Sequence, residues 1–236
     1  MDSFITEVLS PFHAPSADAR LVIFADETIH SLKPNLKEYL LRCAEYAKSH
    51  QVYLTTGLLV HNRNLCLCLL NPQGKIICRQ PAVHLAMSLR SMLDPADELT
   101  VVHTELGNLY LCVDADIYHP QTVRAAALKG ADAVISIQHI DPVDDTPERL
   151  MCSVWNAAQT NNIYVVNFSG NHCTVACPAP LTRSRDGYLV RQTPTIPTRF
   201  GLNMARLDEI RRDFNIMETI NTQLVQNYAD ELGRQW

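Results

Sequence analysis

Residues 107–121 read GNLYLCVDADIYHPQ and join an apolar, strand-like run to two carboxylates and a proline. Apolar residues at 109, 111 and 113 alternate along the first half, which is typical of a buried strand in a mixed α/β core. Asp114 and Asp116 follow at its C-terminal end, just before a helical pattern at residues 122–128. Open α/β sheets place their chemistry at such strand ends, so we interpret this stretch as a site.

Length and composition predict one soluble domain and exclude several classes of function. The chain has 236 residues, of which 47% are hydrophobic and 19% charged, enough for one large core. The net charge is −5 without a basic block, and no apolar run approaches the roughly 18 residues that span a bilayer. We therefore expect no nucleic-acid partner, no membrane association and a cytoplasmic location.

The eight cysteines predict reduced, mostly buried thiols, because disulfide frameworks belong to small secreted chains. Cys66 and Cys68 alternate within a strand-like run and should share one face of a sheet. His172, Cys173 and Cys177 have a metal-like spacing without a second half, and we interpret them as loop or core residues. The sequence predicts no metal site and no cofactor.

The order of elements indicates an α/β fold. Strands are predicted at residues 21–24, 52–60, 65–70, 75–78, 99–103, 107–113, 133–137, 163–168 and 188–190. Helices are predicted at residues 2–12, 35–48 with Asn35 as a possible N-cap, 121–129, 146–160, 207–214 and 216–230. Residues 79–98 form a long aperiodic loop. We expect a single domain over residues 1–236, with an N-terminal helix and loop at 1–20 and a helical extension at 215–236.

Several fragments, taken in order, resemble the nitrilase superfamily of carbon–nitrogen hydrolases over roughly residues 18–215. They are LVIF at 21–24 followed by an acid, NPQGKII at 71–77, HL at 84–85, PADEL at 95–99, the stretch at 107–121, KGAD at 129–132, NNIYVV at 161–166 and the helix at 207–214. The resemblance implies a four-layer αββα sandwich. Only residues 1–20 precede Leu21, so we expect an N-terminally shortened fold whose first edge strand is missing or supplied by a partner.

The resemblance also assigns catalytic positions. The family hydrolyses amides or nitriles with a cysteine nucleophile, a glutamate base and a lysine, usually helped by a second glutamate. The position of the nucleophile falls on Asp114 and that of the base on Asp26, or on Glu27 after a one-residue slip. The position of the lysine falls on Ala82, and that of the second glutamate on or near Arg90. A carboxylate is a far weaker nucleophile than a thiolate, and alanine donates no hydrogen bond. We therefore assign no catalytic residue and predict that the standard amidase mechanism is absent.

Cys112 is the alternative nucleophile, two residues before Asp114. It shares the strand face of Asp114 but lies one repeat deeper in the sheet. A buried structural thiol is the favoured interpretation.

The polar residues of the region have two interpretations. The pocket candidates are Asp26, Glu27, His84, Arg90, Asp114 and Asp116. In the first interpretation, Asp116 caps or braces the turn and the other acids are solvated remnants. In the second, a repurposed pocket binds a cation or a basic ligand such as a guanidinium or an amine. Arg90 is alternatively a partner of these acids that closes the pocket. The histidines without paired spacing are predicted to be isolated surface residues or satisfied core residues, not ligands: His61, His103, His139 and His172.

The resemblance implies that sandwiches pair, so we expect a homodimer or a heterodimer with a nitrilase-type paralogue. Residues 26–28 are faintly similar to the PET motif of a branch with a membrane segment, but this chain has no membrane span. The leading hypothesis is a nitrilase-fold pseudoenzyme that acts as a binding or regulatory partner. The alternatives are an atypical hydrolase of carbon–nitrogen bonds other than peptide bonds, using Asp114 or Glu27, and a sensor for a small-molecule ligand.

Overall fold

A computed structural model describes residues 3–30, 36–140 and 146–227. The strands are β1 (Ser3–Leu9), β2 (Ala19–Phe24), β3 (Tyr53–Thr55), β4 (Leu59–His61), β5 (Asn64–Leu70), β6 (Ile76–Pro81), β7 (Val101–Thr104), β8 (Gly107–Val113), β9 (Ala133–Ile137), β10 (Tyr164–Ser169), β11 (His172–Ala176), β12 (Tyr188–Thr193) and β13 (Thr198–Asn203). The helices are α1 (Leu36–His50), α2 (Pro120–Leu128), α3 (Pro147–Leu150), α4 (Asn156–Asn161) and α5 (Met204–Asp213).

These strands form two mixed sheets. Sheet A has the order β13-β1-β2-β3-β5-β4, with β6 also paired to β5, and sheet B has the order β12-β11-β10-β9-β8-β7. Strands β8, β9 and β10 run parallel, as the two predicted strand–helix–strand units require. Their carboxyl ends therefore meet at one edge, where the loops after them lie side by side.

Three apolar clusters hold the layers together. The largest fills the space between the sheets with every second residue of the central strands, including Leu21, Ile23, Leu109 and Leu111. The opposite faces of the same strands pack against helices: α1 covers sheet A, and α2 with α4 covers sheet B. The predicted four-layer αββα sandwich is confirmed, and this alternation explains why strand β8 is apolar almost throughout.

The N-terminal helix predicted at residues 2–12 is wrong, because β1 is a strand in the interior of sheet A. It pairs in parallel with β2 and antiparallel with β13. The apolar spacing at residues 4, 5, 8 and 9 fits a helix, but burial on both faces of a central strand produces similar runs. The first strand is therefore neither missing nor an edge that a partner must complete.

The connection between β1 and β2 contains no helix. Glu7, although almost fully buried, accepts a hydrogen bond from the Ser16 amide at 3.0 Å and so anchors the loop. Phe12 packs its ring 5.1 Å from that of Phe24, and the Arg42 guanidinium lies 4.0 Å from the Phe12 ring. One aromatic side chain thus covers part of the sheet face beside α1.

Other predicted boundaries need smaller corrections. The strand predicted at 52–60 is two short strands, β3 and β4, and the helix predicted at 146–160 contains a π-helical turn at Met151–Trp155 between α3 and α4. A 3-10 turn at Ile216–Thr219 and a helix at residues 222–227 replace the start of the continuous C-terminal helix. Asn35 and residues 228–236 lie outside the described residues. Among the described helices, none combines the length and apolar character that crossing a membrane requires.

Candidate functional site

Strand β8 ends in a sharp turn, which we call the elbow, at residues Asp114–Tyr118. Asp114 has φ 49, in the left-handed region, and a 3-10 helix over the elbow leads to Pro120 at the start of α2. A non-glycine residue in this conformation is uncommon, and such residues cluster at functional sites. The predicted location of the site therefore coincides with an unusual backbone conformation.

The Asp114 side chain is buried, with 6% of its surface exposed. Its Oδ1 atom accepts a hydrogen bond from the backbone amide of His139 at 2.9 Å. Burial raises the pKa of Asp114 above its ordinary value, and the negative charge of Asp116 adds to this effect, while the amide and the charge of His139 oppose it. The elbow carboxyl is thus held by main chain and protonates more readily than an exposed aspartate.

His139 links the elbow to Glu27. Its ring Nδ1 lies 3.1 Å from the Glu27 carbonyl oxygen, which fixes Nδ1 as the donor. The Glu27 carboxylate accepts a hydrogen bond from the Gly170 amide at 2.9 Å. His139 is therefore a satisfied histidine, with both its amide and its ring hydrogen-bonded. Its position two residues beyond the predicted strand at 133–137 was the one sequence signal that placed it at this edge.

Asp26 belongs to a neighbouring cluster that the sequence did not reveal. Its Oδ2 atom lies 2.5 Å from Nε2 of His30, whose ring stacks on Tyr39 with 4.1 Å between centroids. Burial acts to raise the pKa of Asp26, but the hydrogen bond and charge of His30 outweigh it, and the pKa is lowered. The Tyr39 hydroxyl accepts a hydrogen bond from the Gly57 amide. The candidate base is therefore already paired.

Asp116 braces the elbow from inside. It is fully buried and accepts hydrogen bonds from the backbone amides of Val83 and His84 at 3.1 and 2.7 Å, and from Nδ1 of His84 at 3.1 Å. The His84 ring stacks on that of His119 with 3.6 Å between centroids. Burial lowers the pKa of His119, and the charges of His84 and Arg90 contribute in the same direction.

Ala82 and Arg90 do not supply a cation to the elbow. The Ala82 methyl group lies in the core between the sheets, where it is 1% exposed. Arg90 donates from Nε to the Leu85 carbonyl at 3.3 Å and lines a cavity of about 330 Å³ beside His84. Within the described residues, Arg90 forms no ion pair with Asp26, Asp114 or Asp116. The predicted closure of the pocket through such a pair is not observed.

The cysteines are free, and seven of the eight are buried, as predicted; Cys152 is exposed. Cys112 is fully buried against the helices, and burial raises its pKa well above the ordinary value, with the charges of Asp116 and Asp114 adding to this. Cys173 and Cys177 lie in the core between the sheets. Over the described ranges, no group of three or more histidine, cysteine or acidic side chains is arranged to hold a metal ion.

The structure thus brings together three of the predicted residues with histidines that the sequence analysis missed. Asp114 and Glu27 are linked through His139. Asp26 precedes Glu27 in the sequence and contacts His30 instead. His84 and Asp116 form a separate contact on the far side of the elbow. No sequence pattern indicated His30, because its contact with Asp26 depends on how the loop after β2 folds.

The fold and the site together define the class of protein: a four-layer αββα sandwich with a polar elbow at the end of a central parallel strand. The chain belongs to the carbon–nitrogen hydrolase family, whose model matches residues 11–192, and hence to the nitrilase superfamily. A comparison with curated protein sequences found no significant match.

Solved structures of nitrilase-superfamily members share this fold. The carbon–nitrogen hydrolase from Helicobacter pylori G27 is 14% identical over 96% of this chain and 98% of that chain, with a TM-score of 0.77. Saccharomyces cerevisiae Nit3, a member of branch 10 of the superfamily, is 15% identical over 90% and 94%, with a TM-score of 0.71. An amidase from Nesterenkonia sp. is 15% identical over 96% and 97%, with a TM-score of 0.72. The predicted superfamily is confirmed, and at these identities the likeness shows the fold alone.

Proposed function

We propose that this protein is a nitrilase-fold pseudoenzyme, a carbon–nitrogen hydrolase homologue without the catalytic cysteine and lysine, that acts as a binding or regulatory partner. One observation carries the proposal: Asp114 occupies the elbow at φ 49, with Oδ1 bonded to the His139 amide. The position that the family resemblance assigns to the nucleophile therefore holds an aspartate engaged in a structural contact.

The chemistry of Asp114 supports the loss of covalent catalysis. A carboxylate oxygen is a much weaker nucleophile than a thiolate, and its attack on an amide would leave a reactive anhydride. Burial raises the pKa of Asp114, which lowers the fraction of the anion present at a given pH. In the Nesterenkonia amidase, by contrast, a variant structure shows covalent addition of the acetamide moiety of fluoroacetamide at the active-site cysteine.

The remaining catalytic positions support the same conclusion. Ala82 stands where the resemblance places the lysine, and its methyl group offers nothing to a tetrahedral intermediate. Removing one oxyanion donor typically costs about 10²–10³ in rate. The contact with His30 lowers the pKa of Asp26, the candidate base, and so makes it a weaker proton acceptor.

A partner role is supported by the surface near α2 and the C-terminal segment. Ala125 and Ala127 are partly exposed small residues that allow close approach of another chain, while Ala126 packs in the core, and Leu128 and Phe214 are 60% and 61% exposed. We propose a homodimer or a heterodimer with a nitrilase-type paralogue. The eight free cysteines support a reducing, cytoplasmic location as part of the same proposal.

The direct test measures ammonia release from simple amides, nitriles and carbamoyl compounds by the purified protein. We expect no turnover above that of the Asp114→Ala variant, which serves as the matched control. Turnover that Asp114→Ala abolishes would overturn the pseudoenzyme proposal. Light scattering tests the partner role separately, and a stable monomer at micromolar concentration, alone and mixed with the paralogue, would contradict it.

The same assay discriminates the second candidate, an atypical hydrolase that uses Asp114 or Glu27. The observation in its favour is the raised pKa of the Asp114 carboxyl beside His139, which suits a general acid. This candidate predicts ammonia release that falls as pH rises through the Asp114 pKa.

Calorimetry with divalent metals and small cationic metabolites tests the third possibility, a ligand sensor, for which a flat response is the negative result.

A further inference from the structure

A groove of about 470 Å³ runs along the outer face of sheet A, between α1 and strands β4 and β6. Leu40 and Ala44 from α1 and Ile76 from β6 form an apolar floor, and these side chains also pack on the core cluster beneath them. Leu41 lies on the rim and is 56% exposed. The volume falls within the range of small-molecule sites, roughly 300–1,000 Å³.

Main chain bounds the groove where the turn before β6 abuts α1. Gly74 lines the groove at φ 77, and a Cβ atom at this position would lie 2.5 Å from the Ala44 carbonyl oxygen. Only glycine permits so close an approach in this conformation. The turn and the helix therefore meet without a side chain between them, which fixes the width of the groove.

The polar groups of the groove are basic. Lys37, His61 and Arg79 line it, and among the residues that the structure describes no acidic side chain does. Although the chain carries a net charge of −5, neither Lys37 nor Arg79 forms an ion pair with any residue in the described ranges. Arg79 lies opposite Cys68 in the β5–β6 register, and burial raises the pKa of the Cys68 thiol, so this neighbour is neutral. Arg79 thus lacks a counter-charge beside an apolar surface.

We propose that this groove binds an amphiphilic carboxylate, with its hydrocarbon body on the floor at Leu40, Ala44 and Ile76 and its charged end at Lys37 and Arg79. A guanidinium binds a carboxylate through two parallel hydrogen bonds, which gives orientation as well as affinity. Each methylene buried on the floor adds a further favourable contribution. The groove lies on the helix-covered face of sheet A, away from Asp114, so this site is independent of the pseudoenzyme proposal.

Isothermal titration calorimetry of the full chain with hexanoate, octanoate, decanoate and decanol tests the proposal. We expect saturable 1:1 binding of decanoate and an affinity that rises roughly two- to fourfold per added methylene until the floor is covered. Decanol, which has the same chain without the charge, should bind about tenfold more weakly. Absence of saturable decanoate binding, or equal binding of decanoate and decanol, would overturn the proposal.

Variants separate the charged and apolar parts of the site. Arg79→Gln should weaken decanoate binding about tenfold and leave decanol binding unchanged. Leu41→Ser, at an exposed position that the fold does not need, should weaken both ligands. Lys48→Gln, on the exposed last turn of α1 and outside the groove, is the matched charge control and should change neither. If Arg79→Gln and Lys48→Gln weakened decanoate binding equally, the effect would come from net charge alone, and this result would overturn the assigned site.

Discussion

The Oδ1 atom of Asp114 and the backbone nitrogen of His139 lie 2.9 Å apart, where two neighbouring parallel strands end. This hydrogen bond ties the elbow to the loop after β9. The ring of the same histidine contacts the Glu27 carbonyl, so one residue joins the loops of both sheets. The elbow side chain is therefore part of the structure that holds the site together.

Asp114→Asn should stabilise the protein at neutral pH. The folded state raises the pKa of Asp114, so its contribution to stability is full below the unfolded-state pKa and is lost as pH rises through the folded-state pKa. Asparagine avoids this loss, accepts the same amide and tolerates φ 49. Urea unfolding should show a gain of roughly 0.5–3 kcal/mol at pH 7.5 that shrinks towards pH 4. An equal gain at both pH values would contradict the assigned cause.

Asp26→Asn should have the opposite sign. The pKa of Asp26 is lowered, so its stabilising contribution is present above the unfolded-state pKa and is lost as pH falls through the folded-state pKa. We expect a loss of about 1–3 kcal/mol in the free energy of unfolding at pH 7. We also expect the free energy of unfolding to fall less steeply as the pH is lowered. The exposed Asp97 offers a control, since Asp97→Asn should change stability by less than about 0.5 kcal/mol. A similar small effect for Asp26→Asn would mean that the contact with His30 contributes nothing.

Asp116→Ala should be the most destabilising of the aspartate variants. The change leaves the partly buried amides of Val83 and His84 without an acceptor, at a cost of about 2–5 kcal/mol. Asp116→Asn retains one acceptor oxygen and should lose less. Thermal and urea unfolding measure the stability of both variants. If Asp116→Asn were less stable than Asp116→Ala, the hydrogen bonds of Asp116 would not be what stabilises the elbow.

Phe12→Ala tests the aromatic cover over sheet A. Phe12 contacts the rings of Phe24, Tyr39 and Tyr46, and its removal should cost about 2–4 kcal/mol, less than for a fully buried phenylalanine. Met87, with 81% of its surface exposed, is the apolar control, and Met87→Ala should stay within about 0.5 kcal/mol. Equal costs for the two variants would argue that the loop after β1 adds no packing.

Thiol labelling tests the burial of the cysteines. Native protein treated with iodoacetamide should gain one fast adduct at Cys152 and none at Cys112, because only the exposed thiol is accessible. Intact-mass measurement of Cys152→Ser should then show no fast adduct. Rapid modification of Cys112 in that variant would instead reveal a reactive thiol beside the elbow.

The parallel strands of sheet B and the position of the elbow could be predicted from local patterns. The alternation in residues 107–113 and the acids after it indicated both β8 and the elbow, since strand ends and turns leave strong sequence signals. The N-terminus could not be predicted in this way. Residues 3–9 pair with β2 on one side and β13 on the other within sheet A, and this central position depends on a strand that begins at residue 198.

The partners of the site residues were also beyond the sequence. His30 and His139 approach Asp26 and Asp114 through loop conformations, so no spacing along the chain identifies them. The groove on sheet A has the same origin. Its floor and its basic rim combine one helix with two strands, and Gly74 matters only because α1 lies directly against it.

The pairing of β1 with β13 has a consequence for synthesis on the ribosome. Residues 3–8 hydrogen-bond to residues 198–203, so one side of the first strand stays open until most of the chain has been translated. Contacts of such sequence separation are slow to form because a long loop must close first. All strands of sheet B lie within residues 101–193, so they are translated before β13. Nascent chains should therefore protect sheet B from proteolysis before sheet A, and chaperone binding should concentrate on the N-terminal strand.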